Sequence, residues 1–150
     1  MSKGFSYEEF LEANGELTYT NVGTSMMPLL RQGRDLFTVR KKTEERCRAG
    51  DVVLYRRGSR YVLHRIVEVR PKDYVILGDN CVSREYGITD DDILGIMTAY
   101  VRDGKTHTVD ELPYRLYSAW TMKTAPVRTT LKKTAIAVRR RLKGRKNIGK

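Results

Sequence analysis

Residues 51–80 have the sequence DVVLYRRGSRYVLHRIVEVRPKDYVILGDN, and this stretch decides the fold class. Two runs rich in valine, leucine and tyrosine, at 51–57 and 60–70, are separated by a Gly-Ser pair, which is the pattern of a β-hairpin. A Pro-Lys-Asp turn then leads into a third apolar run at 73–79. Because these runs leave no room for helices between them, they predict neighbouring antiparallel strands.

The sequence on either side of this stretch continues the strand pattern. Further strands are predicted at 16–23, at 34–41 and, as a hairpin closed by Asp103-Gly104, at 93–110. The segment SMMPLLRQG (25–33) predicts one helical turn, and 80–92 predicts a loop. About six or seven strands with almost no helix between them indicate a mainly β domain of antiparallel sheets over residues 16–112.

The two ends of the chain predict helices of different character. Residues 1–15 predict a short helix that Ser6 and Glu9 can cap. Residues 113–150 predict a basic, amphipathic tail of two helices, the second beginning at Pro126. The tail holds twelve Lys and Arg and no acidic residue, whereas the rest of the chain holds 17 basic and 18 acidic residues. The net charge of +11 therefore belongs to the tail.

Composition also restricts location and partners. No run of about 20 apolar residues is present and the N-terminus lacks a signal peptide's apolar core, so we expect a cytoplasmic protein without a transmembrane segment. Apolar and aromatic side chains interleave with the charges of the tail, which favours adhesion of 113–150 to an anionic membrane surface over nucleic-acid contact. A solvated basic helix is the alternative. Cys47 and Cys81 predict free thiols, and we expect no metal or cofactor.

Ser25 and His64 are the side chains best suited to chemistry. Ser25 follows a predicted strand and begins a turn, which exposes a hydroxyl beside backbone N–H groups, including its own, that could hold an oxyanion. The alternative for Ser25 is a helix N-cap. His64 lies in an alternating strand beside Val62 and Ile66, where it is either a structural residue or a neutral imidazole able to take a proton. His107, in a polar hairpin arm, is expected at the surface without a role.

Two carboxylates follow His64 in the sequence. Asp79 ends an apolar strand in Gly-Asp-Asn, which is either an ordinary turn or the position of a carboxylate that orients His64. Glu85, six residues later, is a second carboxylate in reach of the same region.

The order of several segments resembles that of the signal peptidase I superfamily, which includes the self-cleaving SOS-type repressors. The segments are GTSMMPLL, RDLFTV, GDVVLYRR, YVLHRIV, LGDN and ILGIMTAYV. The resemblance covers about residues 16–101. Within the superfamily one branch uses lysine as its base and another uses histidine followed by arginine. His64 and the arginine after it resemble the Ser–His branch.

The resemblance implies both a fold and a chemistry. The fold would be the antiparallel β domain of signal peptidases and of the C-terminal domain of SOS-type repressors. The chain would be a serine endopeptidase in which Ser25 is the nucleophile, His64 the general base and Asp79 its carboxylate partner, with Glu85 ranked second. The substrate would be a protein or peptide, as in signal peptide processing.

The sequence departs from the family at two places. The polar segment SYEEFLEANGELTYTN (6–21) stands where the membrane peptidases carry an apolar anchor. Gly23 stands where many of them have a hydroxyl that helps to bind the oxyanion, so backbone N–H groups would have to do so here. Two alternatives accompany the peptidase hypothesis: a catalytically silent relative that binds peptides or a partner protein through the same fold, and, ranked last, a self-processing protein.

Overall fold

The computed structural model describes residues 4–146, so residues 1–3 and 147–150 of the two predicted helical ends lie outside the described range. The elements follow in the order α1 (Tyr7–Asn14), β1 (Glu16–Thr20), β2 (Leu36–Lys41), β3 (Val52–Arg57), β4 (Arg60–Val69), β5 (Tyr74–Leu77), β6 (Glu85–Ile88), β7 (Ile93–Arg102), β8 (Lys105–Thr108) and α2 (Leu112–Lys146). The strands form one antiparallel sheet in the order β1-β2-β7-β3-β4-β5-β6, and β8 pairs with β7. The prediction of a mainly β, antiparallel architecture with a helical C-terminal part is confirmed.

Strand β3 lies at the centre of the sheet and is buried on both faces. Val52, Val53, Leu54 and Tyr55 are each at most 2% exposed. Because successive side chains of a strand point to opposite faces, Val52 and Leu54 enter one core, with side chains from the segment between β1 and β2. Val53 and Tyr55 enter a second core on the other face, with side chains of β4 and β5. This double burial accounts for the uninterrupted apolar run in the sequence.

One turn and one helix cap form as predicted. Asp103 and Gly104 both have positive φ, 49° and 74°, as the tight turn of a two-residue hairpin requires. The Ser6 side chain accepts from the Glu9 N–H while the Glu9 carboxylate accepts from the Ser6 N–H, which completes the capping box of α1.

One local prediction is wrong. The segment 80–92, predicted as a loop, contains the edge strand β6, whose Glu85 and Ile88 pair with β5. Its EYGI sequence gives little strand signal because an edge strand buries only part of its surface.

The segment 25–33 forms turns with one hydrogen bond of helical type, from Leu30 N to Met26 O at 3.0 Å, which agrees with the single helical turn predicted there.

Helix α2 runs without interruption through Pro126, which the sequence analysis placed at the start of a second helix. Proline removes one backbone donor and crowds the preceding turn, but packing against the sheet body holds this turn in place. Ala125 and Thr129 are buried, and Arg128 donates to the carbonyl oxygen of Asp79 at 2.7 Å. Within residues 4–146, no helix combines the length and the apolar character needed to cross a membrane.

A buried ion pair joins β4, the segment after β5 and α2. Arg65 and Asp79 have side chains 0% and 1% exposed, and two hydrogen bonds of 2.8 Å connect the guanidinium to the two carboxylate oxygens. Arg65 Nη1 also donates to Gly50 O and Ser118 Oγ, both at 2.8 Å. Tyr117 donates to Asp79 Oδ2 at 2.9 Å. Burial disfavours the guanidinium cation, but the hydrogen bonds and charge of Asp79 outweigh it, and the pKa of Arg65 is raised.

Replacing Asp79 by alanine should destabilise the protein by about 3–5 kcal/mol, because it leaves a fully buried guanidinium without its counter-ion. Urea denaturation followed by circular dichroism measures this change. The matched control is Glu12→Ala, which removes the carboxylate of the exposed Lys41–Glu12 pair. It should change the free energy of unfolding far less. Equal effects of the two substitutions would contradict the role of the buried pair.

Candidate active site

An open groove of about 1210 Å³ crosses the protein beside the first half of β4. Ser25, His64 and Glu85 line it, together with residues of the β3–β4 hairpin and of the segment 80–83. One flank of α2 contributes Lys132, Ala135, Ile136 and Arg139 to the same groove. The predicted site residues Ser25, His64 and Glu85 therefore share one surface.

The backbone around Ser25 is held by the Gly-Asp-Asn segment. Gly23 has a φ of 86°, a left-handed conformation that turns the chain away from β1. The Ser25 carbonyl accepts from Asn80 N at 2.8 Å, and the Asn80 side-chain amide donates to Thr24 O at 3.0 Å. In the described part of the chain no hydrogen bond uses the N–H of Ser25. That N–H is thus available to an oxyanion, as the sequence analysis required.

Gly78 is the point where the serine segment and the histidine meet. A Cβ placed on Gly78 would lie 2.9 Å from the Ser25 carbonyl oxygen and 3.0 Å from His64 Cδ2. It would also lie 2.6 Å from Cys81 Sγ, so only glycine allows this close approach. Since Cδ2 is bonded to Nε2, this edge of the imidazole borders the serine segment.

The opposite edge of the His64 ring contacts a hydroxyl and a carboxylate. His64 Nδ1 lies 3.2 Å from Tyr55 Oη and 3.3 Å from Glu85 Oε1. Tyr55 donates its own proton to Glu85 Oε1 at 2.8 Å. Its oxygen can therefore only accept from His64, which places the ring proton on Nδ1. The lone pair of a neutral ring then lies on Nε2, the nitrogen bonded to Cδ2.

Burial and charge keep this imidazole neutral. His64 is 5% exposed, and burial lowers its pKa below the usual 6.5. The Glu85 carboxylate raises the pKa of His64, but this effect does not outweigh burial, and the Arg57 guanidinium lowers the pKa further. Arg57 also donates from Nε to Glu85 Oε2 at 2.9 Å, which holds the carboxylate in position. An imidazole that is neutral near pH 7 can accept a proton from a hydroxyl.

The first-ranked carboxylate partner of the sequence analysis does not contact His64. Among the described residues, the Asp79 carboxylate bonds to Arg65 and Tyr117, and Glu85 is the carboxylate beside Nδ1 of His64. Neighbouring residues of a strand point to opposite faces, so Arg65 draws Asp79 to the face away from His64. Glu85, ranked second as the partner of His64, is therefore the carboxylate that contacts it, and Asp79, ranked first, is not.

Ser25 and His64 share the groove but are not directly hydrogen-bonded to each other in the described part of the chain. A serine side chain changes rotamer by a single rotation about χ1. Hydrogen bonds between catalytic groups are commonly long before a substrate is bound and tighten afterwards. Both side chains therefore line the same groove without a direct hydrogen bond between them.

Sequence reasoning missed Tyr55 and Arg57. The hairpin register contains the signal for Tyr55: Val53 pairs with His64 and Tyr55 pairs with Val62, so Tyr55 is the diagonal neighbour of His64 on one face. Nothing comparable indicates Arg57, because its contact with Glu85 depends on the edge strand β6.

The other reactive groups are arranged as follows. Cys47 and Cys81 are free thiols. Cys81 lines the groove, and burial raises the pKa of its thiol, so it stays protonated at neutral pH. His107 is partly buried, with Nδ1 at 3.1 Å from Glu111 Oε2. Within residues 4–146, no group of three or more His, Cys, Asp and Glu side chains is arranged to hold a metal ion.

Comparison of the chain with protein-family models, with curated proteins and with solved structures gives no match in any of the three.

The imidazole of His64 should titrate with a pKa below 6.5 and carry its proton on Nδ1 when neutral. Nitrogen-15 NMR of labelled protein measures both properties, and a His64→Gln variant assigns the signal. Glu85→Gln should lower the pKa further, because it removes the negative charge that favours the imidazolium. A proton on Nε2, or a rise in pKa in the Glu85 variant, would contradict the geometry of the site.

Proposed function

We propose that the chain is a serine endopeptidase of the signal peptidase I type, which hydrolyses a peptide bond with Ser25 as nucleophile and His64 as general base. The observation that carries the proposal is the convergence at Gly78, where the serine segment meets the Nε2 edge of an imidazole whose proton is fixed on Nδ1. The order of motifs in the sequence supports the same assignment.

The reaction follows from these positions. His64 Nε2 takes the Ser25 Oγ proton as Oγ attacks the substrate carbonyl carbon, and the N–H of Ser25 donates to the resulting oxyanion. The imidazolium returns this proton to the leaving amine, which yields an ester between Ser25 and the acyl half of the substrate. His64 then takes a proton from water as the water oxygen attacks the ester, and the imidazolium returns this proton to Ser25 Oγ as the carboxylic acid product leaves. Glu85 stabilises the imidazolium formed in both steps.

The groove offers a backbone edge for an extended substrate. β4 pairs with β3 from Arg60 onward but with β5 only from Arg65 onward, so residues 60–64 have one strand partner among the described residues. Their free edge borders the groove. An extended peptide can add there as a further strand, and backbone hydrogen bonds would set its register relative to His64.

A second function is a peptide-binding protein that uses the same edge without catalysis. The absence of a direct hydrogen bond between Ser25 and His64 in the described chain favours this alternative. The two functions differ in whether a peptide that docks on β4 is cut.

Ser25→Ala should abolish cleavage of a proteome-derived peptide library, because the hydroxyl that forms the ester is absent. Mass spectrometry of the library detects cut peptides, and a serine-directed acylating reagent should label the wild-type protein but not Ser25→Ala. Ser83, another serine at the groove, supplies the matched control. Ser83→Ala should keep both cleavage and labelling.

The outcomes separate the two functions. The same cut peptides in wild type and Ser25→Ala would contradict Ser25 as nucleophile. Retention of peptides by both proteins without any cut would contradict the peptidase and support the peptide-binding alternative.

The pH dependence of kcat/KM should follow the charge around His64. The active form is the neutral imidazole and its pKa lies below 6.5, so activity should persist below that pH and fall as the pH drops through the lowered pKa. Glu85→Gln should move this acid limb to lower pH, and Arg57→Gln should move it to higher pH. Steady-state rates between acid and neutral pH measure the shifts. Shifts of the same sign in the two variants would contradict the assignment of His64 as base.

A further inference from the structure

Helix α2 carries an apolar stripe along the side that faces away from the sheet. Its members are large apolar side chains that are 49–65% exposed: Leu112, Leu116, Trp120, Val127, Leu131, Val138 and Leu142. At about 100° of rotation per residue they fall within an arc of about 120° of the helix surface. A row of exposed apolar side chains does not contribute to packing on the body, and an exposed apolar patch of this kind marks an interaction surface.

The opposite side of α2 contacts the body. Tyr114, Thr121, Ala125 and Thr129 are buried, and Ser118 bonds to Arg65. The apolar stripe therefore faces away from the body, and the neighbours of the Trp120 ring in the described part of the chain, Tyr117 and Arg128, belong to the same helix.

The charge of α2 identifies what can cover the stripe. The helix holds eleven Lys and Arg and no acidic residue. Among the described residues, none of these cations forms an ion pair with a carboxylate; Arg128 and Lys132 bond instead to backbone carbonyls. A second copy of the helix would repel this one. A nucleic acid would use the cations but leave the leucines and valines in water.

We propose that α2 docks the protein on the surface of an anionic lipid bilayer. The apolar side chains of the stripe enter the boundary between headgroups and acyl chains, and the lysines and arginines of α2 contact the anionic headgroups. Lys123, Arg141 and Arg145 lie within the arc of the stripe, where their long side chains can extend to the headgroups. Trp120, near the N-terminal end of the helix, would then lie at the interfacial depth that tryptophan favours in membranes. The docking is independent of catalysis.

The docked orientation brings the groove close to the membrane. Lys132 donates to Asn80 O at 2.9 Å, and the same flank of α2 forms a wall of the groove. The site would thus open about 10 Å, one helix diameter, from the bilayer surface. If the proposed function holds, the peptide that reaches β4 is one that lies on, or emerges from, the membrane.

Tryptophan fluorescence tests the docking directly, because Trp120 is the only tryptophan in the sequence. Vesicles of phosphatidylcholine with phosphatidylglycerol should shift the emission to shorter wavelength, and brominated acyl chains should quench it. Vesicles of phosphatidylcholine alone should bind at least tenfold more weakly, since the headgroup charges are missing.

A double substitution in the stripe, Val127→Ser with Leu131→Ser, should weaken co-sedimentation with the anionic vesicles at least tenfold. The matched control is Val69→Ser with Tyr86→Ser, two exposed apolar side chains outside α2. It should bind like wild type, and circular dichroism should show that both variants are folded. Ser25→Ala should also bind the vesicles like wild type, so the experiment distinguishes a failure of docking from a failure of peptide hydrolysis.

Two results would overturn the docking. One is equal binding of the stripe variant and the wild type to anionic vesicles. The other is wild-type protein that ignores these vesicles but binds a short single-stranded oligonucleotide, with or without the stripe substitutions, which would assign the cations to nucleic acid instead.

Discussion

Arg65 and Asp79 form a fully buried ion pair between β4 and the segment that follows β5, and the geometry of the groove follows from it. The pair holds the Gly-Asp-Asn segment against β4. Through Gly78 and Asn80 that segment then fixes the backbone of Ser25. Ser118 and Tyr117 complete the hydrogen bonds of the pair, so α2 is attached at the same point. One polar interaction thus connects the body, the candidate site and the basic helix.

Because side chains alternate along β4, Asp79 and Glu85 contact neighbouring residues on opposite faces of the strand. Arg65 and Asp79 lie on one face as a structural pair. His64 lies on the other face, where Tyr55 and Glu85 fix its proton on Nδ1. Glu85 is partly exposed and shares its charge with Arg57, so it can stabilise an imidazolium without preventing the ring from being neutral at rest. This combination of burial and nearby charge is what a general base requires.

Much of the fold follows from local patterns in the sequence. The β3–β4 hairpin and the Asp103-Gly104 turn carry strong signals in their alternation and turn residues, and both form as predicted. The edge strand β6 and the course of α2 through Pro126 do not follow from local patterns, because each depends on packing against distant parts of the chain. The sequence singles out Ser25, His64 and Glu85 as candidate site residues, and all three line one groove. The contact of Asp79 with Arg65 could not be predicted, because it depends on the direction in which a buried arginine points.

Attack of Ser25 Oγ on a substrate carbonyl would leave an acyl group on Ser25 during turnover. A peptide ester is mixed with the wild-type protein, the reaction is quenched in acid during turnover, and the acylated residue is located by digestion and tandem mass spectrometry. We expect an acyl group on Ser25. An acyl group on Cys81, the thiol in the same groove, or turnover with no acyl group on Ser25, would contradict it.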